Sequence, residues 1–140
     1  MASAEELARA YFEALDAADV ERACELLAPD CEFVSPAAPM RGTEAIRQFL
    51  GGFASAFPDA KFSIDTVVAT ERTAAVEGHY TGTHTGALAT PDGQEIPPTG
   101  RSVDAPYVTM FETDGERITS HRAYWDQLGF MMQLGLAPPG

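Results

Sequence analysis

Asp126 stands where an alternating segment, residues 117–125, runs into a short apolar run that begins at Leu128. Apolar surroundings raise a carboxyl pKa toward neutrality, and such a group can take a proton from carbon and return it. By spacing alone the same aspartate is an N-cap for a helix over 127–133, which is the plainer role. Strand alternation puts Arg122, Tyr124 and Asp126 on one face. If that face lines a pocket, Arg122 or Tyr124 can stabilise an enolate oxygen. An arginine so placed would also lower the pKa of Asp126, and a salt bridge or a solvated side chain is its plainer role. His84 ends a strand ahead of a long loop. It either bonds a substrate oxygen or relays a proton, or it simply ties the turn.

The other candidates are weaker. His121 falls on the face opposite Asp126, which points to a dimer interface rather than to catalysis, and His79 is a lesser candidate too. Asp65 and Asp104 supply a second carboxylate or lie solvated at strand edges. Phe33, Phe49, Phe53, Tyr107 and Trp125 are candidates for an aromatic lining, though aromatics so placed are commonly plain core. No His-x-His or His-x-x-x-His spacing occurs, so no metal is expected. There is no Gly-x-Gly-x-x-Gly, no phosphate loop and no Ser or Cys nucleophile motif, so no cofactor and no covalent intermediate are expected either.

The chain that must position these residues has 140 of them, the size of one domain (1–140) with a real core. Its net charge of -12 excludes a nucleic-acid or anionic-membrane surface, which needs clustered Lys and Arg. Lys61 is the only lysine and the arginines are scattered. No apolar run reaches membrane-spanning length. Glu5, Glu6 and Arg9 at the N-terminus do not suit a secretory signal. Cys24 and Cys31 are expected to stay reduced, and a cytoplasmic protein is the reading.

Ser3 with Glu6 forms a capping box for a first helix ending near Ala18. Asp19 caps a second, which Pro29 stops. Cys31 to Ser35 is a short strand, and Thr43 caps a third helix carrying Ile46, Phe49, Leu50 and Phe53. Phe62 to Val68 alternates as a strand, and Thr73 to Thr85 is a longer one. Residues 86–100 form a long loop, of the kind that often serves as a lid. Arg101–Thr113 and Arg117–Trp125 pair across Asp114-Gly115. A short helix and a frayed tail, 136–140, follow. Helices first and a strand meander after them give an α+β fold: a curved, mainly antiparallel sheet roofed by helices into a cone around a small-molecule pocket.

With these elements placed, the sequence resembles the SnoaL-like polyketide cyclases of the NTF2-like (cystatin-like) superfamily. The resemblance rests on Phe57-Pro58-Asp59, Gly82-Thr83-His84-Thr85-Gly86, Pro97-Pro98-Thr99-Gly100-Arg101 and Asp114-Gly115 with Ile118. It closes on Trp125-Asp126-Gln127-Leu128-Gly129 and Gln133-Leu134-Gly135. It implies a homodimer formed through the outer sheet face. It also implies a cofactor-free, aldol-type ring closure on an aromatic polyketide ester, a hydrophobic, oxygenated small molecule. Asp126 takes the place of the family's acid/base, with His84 and Tyr124 polarising oxygen, and the match favours this role over the cap. Two departures are visible: Thr90-Pro91-Asp92-Gly93 lengthens the loop, and His121-Arg122 stands where the family often has an acidic residue and tryptophan. Arg122 beside Asp126 would fit an epoxide-hydrolase-like alternative, and the superfold also admits a ketosteroid-isomerase-like proton shift or a non-catalytic binder.

Overall fold

The computed structural model describes residues 2–37, 39–89 and 93–136. Three helices come early: α1 (Ala4–Asp16), α2 (Val20–Glu25) and α3 (Thr43–Ala56). Strands β1 (Leu27–Val34) and β2 (Met40–Arg41) lie between α2 and α3. After α3 come β3 (Lys61–Phe62), β4 (Thr66–Ala69) and β5 (Thr73–Thr83), then the small pair β6 (Leu88–Ala89) and β7 (Glu95–Ile96). The long strands β8 (Ser102–Thr113) and β9 (Ile118–Trp125) lead into α4 (Gln127–Gln133).

Local chemistry fixes most boundaries. The Ser3 hydroxyl accepts the Glu6 N–H while the Glu6 carboxylate accepts the Ser3 N–H, so the capping box forms. Asp19 caps α2 through the Arg22 N–H. Pro29 does not stop that helix, which already ends at Glu25; it lies inside β1. Proline has no N–H to give a ladder, and the β1–β9 pairing is interrupted there, between Leu27 and Glu32. The cap of α3 is Gly42, not Thr43: at φ 93° it turns the chain without a side-chain cap.

The sheet runs β2-β1-β9-β8-β5-β3, with β4 also on β5. All pairs are antiparallel except β1 with β9. Phe62 to Val68, expected as one strand, is broken into β3 and β4. Ser63 and Asp65 between them still donate to the carbonyls of His79 and Glu77. Gly78 permits this crossing, because a Cβ there would lie 1.8 Å from the Ser63 carbonyl oxygen. Residues 86–100 are not a bare loop: β6 pairs with β7, and Leu88 and Ile96 pack with Phe57, Phe130 and Leu134. The inserted residues 90–92 and most of the tail, 137–140, lie outside the described residues.

The sheet curls around α1, which touches β3, β4, β5, β8 and β9. Leu7, Ala8, Tyr11, Phe12 and Ala14 form its buried stripe. Burying each large apolar side chain contributes about 1.5–3 kcal/mol, so this stripe anchors the concave side. On β8 every second residue from Val103 to Thr113 is buried, which sets the inner face. On β9 the phase changes. Thr113 pairs with Ile118 but Glu112 pairs with Ser120, so Thr119 is an extra, bulged residue. From His121 onward the odd residues face inward.

Candidate functional site: an aromatic cavity

A cavity of about 110 Å³ lies between the helices and the concave face. From α1 come Tyr11, Phe12 and Leu15, and from α3 come Phe49, Leu50, Phe53 and Ala54. Phe33, Phe62, Tyr80 and Phe130 reach it from β1, β3, β5 and α4. The floor is β8 and β9, with Ala105, Tyr107, Thr109, His121, Ala123 and Trp125.

The wall is a closed circuit of rings. His121 stacks on Phe33 at 4.2 Å between centroids, Phe33 meets Phe49 at 5.3 Å, and Phe49 meets Phe53 at 5.0 Å. Phe53 continues to Phe130 at 6.3 Å, and Phe130 to Tyr80 at 6.5 Å. Tyr80 meets Phe62 at 4.9 Å and Phe62 meets Phe12 at 5.0 Å. Phe12 lies 5.5 Å from Tyr11, and Tyr11 returns to His121 at 5.2 Å. Such contacts each add roughly 0.5–1.5 kcal/mol beyond area burial, so the belt resists opening.

Polar groups are few, and those of Tyr11, Tyr80 and His121 include atoms with no hydrogen-bond partner. His121 is 4% exposed and its Nδ1 has no hydrogen-bond partner. The hydroxyls of Tyr11 and Tyr80 are likewise buried and unpartnered. Burial brings the His121 pKa down to about 3, so the imidazole is neutral throughout the physiological range. Burial also pushes both phenols up, with the cysteines near Tyr11 and the charge of Asp59 near Tyr80 adding to it. Tyr107 is satisfied: its hydroxyl donates to the Ser63 carbonyl at 2.8 Å.

The residues singled out from sequence fall in two groups. Phe33, Phe49, Phe53, Tyr107 and Trp125 are all in the cavity wall. The four candidates for chemistry are elsewhere. Asp126 is exposed, and its carboxylate caps α4 by accepting the Gly129 N–H at 2.8 Å. Tyr124 is 52% exposed. Arg122 is held by the Glu112 carboxylate and by the Ser120 hydroxyl at 2.8 Å, so it pairs with Glu112 rather than Asp126. His84 is fully buried but outside the cavity wall. It stacks on Phe57, and its Nδ1 accepts the Thr99 N–H at 3.2 Å, which puts a neutral ring's proton on Nε2. Its partners are Thr99 and Phe57, so it forms no relay with Asp126. Burial lowers its pKa, with the Gly86 backbone acting in the opposite direction.

His121 corrects the dimer-interface expectation: it does face opposite Asp126, but that face is the interior. Tyr11 and Tyr80 were not anticipated in the pocket. His79 is on the surface, with Nδ1 2.7 Å from Asp104 and Nε2 3.8 Å from Asp65. Among the described residues no group of three or more His, Cys, Asp or Glu is arranged to hold a metal ion.

The family model for the SnoaL-like domain matches residues 8–121. The chain belongs to the SnoaL-like family. Its fold is the NTF2-like cone, shared with solved structures throughout their length. A protein from Jannaschia sp. CCS1, named as a SnoaL-like polyketide cyclase, superposes with TM-score 0.82 at 22% identity, over 96% of this chain and 92% of that one. IdmH from Streptomyces antibioticus, named as a polyketide cyclase, gives 0.76 at 24% identity, over 94% and 97%. A ketosteroid isomerase-like protein from Catenulispora acidiphila, solved with trimethylamine, gives 0.75 at 24% identity, over 95% and 94%. At these identities the likeness of this SnoaL-like chain to each of them is one of fold. No curated protein matches it, and among the described residues no helix is long and apolar enough to cross a membrane.

Proposed function

We propose that this SnoaL-like protein takes up a hydrophobic, oxygen-bearing small molecule and acts on it by cofactor-free proton transfer, with His121 as the acid/base. The observation that carries this reading is the neutral imidazole, its Nδ1 without a partner, in the wall of a largely apolar cavity. Among the described residues it is the only group in that wall whose ordinary pKa lies near neutrality. The ring would take a proton from the carbon next to a ligand carbonyl, leaving an imidazolium beside an enolate, and would later return it to carbon or to the new alkoxide. Burial penalises a lone imidazolium, but the transfer creates both charges together, and each offsets the other's desolvation. An aldol-type ring closure and a ketosteroid-isomerase-like proton shift share this first step, and structural neighbours named as polyketide cyclases support the former.

The test uses 2-tetralone in D2O, with loss of its α-proton signal followed by NMR. The wild-type chain and Asp126→Asn should both accelerate exchange, and His121→Gln should not. Acceleration retained in His121→Gln and lost in Asp126→Asn would return the chemistry to Asp126.

A second reading, a non-catalytic binder, is favoured by one specific observation: Asp126 is engaged as a helix cap, and among the described residues no carboxylate lines the cavity. Saturable binding without exchange in the wild type would select it. A cytoplasmic homodimer joined through the outer sheet face completes the proposal. Tyr124 stands exposed on that face, with Leu128 and Met132 exposed on α4. Sedimentation of the purified chain reads its oligomeric state.

A further inference from the structure

A buried hydroxyl without a partner costs stability, so a cavity wall that keeps two of them suits a ligand that pairs with both. We infer that the ligand is an uncharged molecule with oxygens at two separated ends: one held at the inner end of the cavity beside His121 and Tyr11, the other accepting a hydrogen bond from Tyr80 near the mouth. This names the ligand class of the site proposed above and rests on the reading of the cavity as that site.

Three observations carry it. The hydroxyls of Tyr11 and Tyr80 and the Nδ1 of His121 are buried without partners, whereas Tyr107, in the same wall, is satisfied by Ser63. The unpaired groups fall in two places. His121 and Tyr11 meet ring to ring, and both are buried, as are Phe33 and Phe12 beside them. Tyr80 has other neighbours, Phe53, Phe57, Phe62 and Phe130, and it is only half-buried, like Phe53 and Phe62. His121 is in register with Phe111 of β8 and Tyr80 with Ala105, and those two are separated by roughly 20 Å of extended strand. A single oxygen cannot pair with both ends. Finally, among the described residues no Lys or Arg lines the cavity, and the charge of Asp59 acts on Tyr80. A ligand carboxylate would be buried there without a counter-ion.

The test compares probes that differ in one group. 2-Tetralone carries a single oxygen, 6-hydroxy-2-tetralone adds a hydroxyl at the far end of the fused rings, and 6-hydroxymethyl-2-tetralone carries it one carbon farther. Titration calorimetry gives the Kd of each for the wild-type chain, Tyr80→Phe and Tyr11→Phe. In the wild type at least one hydroxylated probe should bind roughly three- to tenfold more tightly than 2-tetralone, the worth of one hydrogen bond. Tyr80→Phe should bring that ratio close to one, whereas Tyr11→Phe should keep it and weaken all three probes. 2-Tetralone-6-carboxylic acid should bind about tenfold more weakly than the hydroxymethyl probe. Neither substitution should lower the Tm of the free protein, because each removes a hydroxyl that has no partner. A ratio near one in the wild type, a ratio unchanged in Tyr80→Phe, or a marked fall in the Tm of that variant would overturn the second oxygen. Tighter binding of the acid would overturn the uncharged ligand. The expected ratio without α-proton exchange would sink the acid/base reading and leave this inference standing, and exchange with a ratio near one would do the reverse. No binding of any tetralone would overturn the ligand site and this inference together.

Discussion

Phe33 and His121 lie ring on ring, with centroids 4.2 Å apart and planes inclined by 10°. They are register partners in the parallel pair of β1 with β9, so the ladder itself holds the stack. Tyr11 and Phe111 meet the same imidazole edge-on at 5.2 and 5.0 Å. Carbon therefore surrounds a group that would otherwise titrate near neutrality, and this dictates how the protein responds to acid.

An unfolded histidine titrates near 6.5, whereas folded His121 titrates at about 3. The unfolded chain thus binds this proton first as pH falls. The stability that neutral His121 contributes is complete above the unfolded pKa and is lost between there and about pH 3. By about pH 4.5 the loss amounts to roughly 2–3 kcal/mol. His121→Phe keeps a ring against Phe33 and removes the proton site. Its fall in Tm between neutral and mildly acidic buffer should be smaller than the wild type's by roughly 6–12 °C, measured by calorimetry.

Asp126 separates a structural role from a catalytic one. Asparagine caps a helix as well as aspartate does, whereas alanine cannot accept the Gly129 N–H. Asp126→Ala should cost about 1 kcal/mol in a denaturant titration and Asp126→Asn close to none. A loss of several kcal/mol in Asp126→Asn would show that the carboxylate does more than cap.

Gly78→Ala should be among the most damaging single-methyl additions in the chain. Its Cβ would lie 1.8 Å from a backbone oxygen, so the backbone of Ser63 must move. Overpacking of this kind costs about 1–3 kcal/mol, and here it also loosens the Tyr107 hydroxyl from Ser63. Faster hydrogen exchange at Ser63 and Asp65, both bonded across to β5, would confirm where the strain goes.

At the surface, the hydrogen bond that His79 donates to the Asp104 carboxylate raises the His79 pKa, with Asp104 and Asp65 charge adding to it. A raised histidine pKa stabilises the fold below the unfolded value and loses that effect as pH rises through the folded one. NMR titration should place His79 above an ordinary histidine, and Asp104→Asn should bring it down. An unchanged midpoint in that variant would refute the assignment.

The fold was legible in sequence because its signals are local. The Ser3 box, the Asp19 cap and the Asp114-Gly115 turn are each written within four residues, and the family motifs supply their order. The inward face of β9 was displaced by a single residue. Ile118 is buried, and unbroken alternation from it would turn Arg122 and Tyr124 inward. The bulge at Thr119 reverses that phase, and it carries no glycine to announce it. One signal was available: His121, Ala123 and Trp125 form the apolar set on β9, and a tryptophan assigned to the lining should have brought His121 with it. Tyr11 and Tyr80 could not be found this way, because their place in the wall depends on how α1 and β5 close on each other.

Gln133 has a consequence for entry to the cavity. β9 ends at Trp125, opposite Tyr107, so residues 102–106 of β8 outrun their neighbour on that side. Gln133 reaches back from α4 and grips both backbone groups of Asp104, accepting its N–H at 2.6 Å and donating to its carbonyl at 3.1 Å. A side chain thereby stands in for a missing strand and blunts an edge that could recruit another chain. The same helix contributes Phe130 to the ring circuit. Any movement of α4 that widened the cavity at Phe130 would therefore also uncover the strand edge that Gln133 covers.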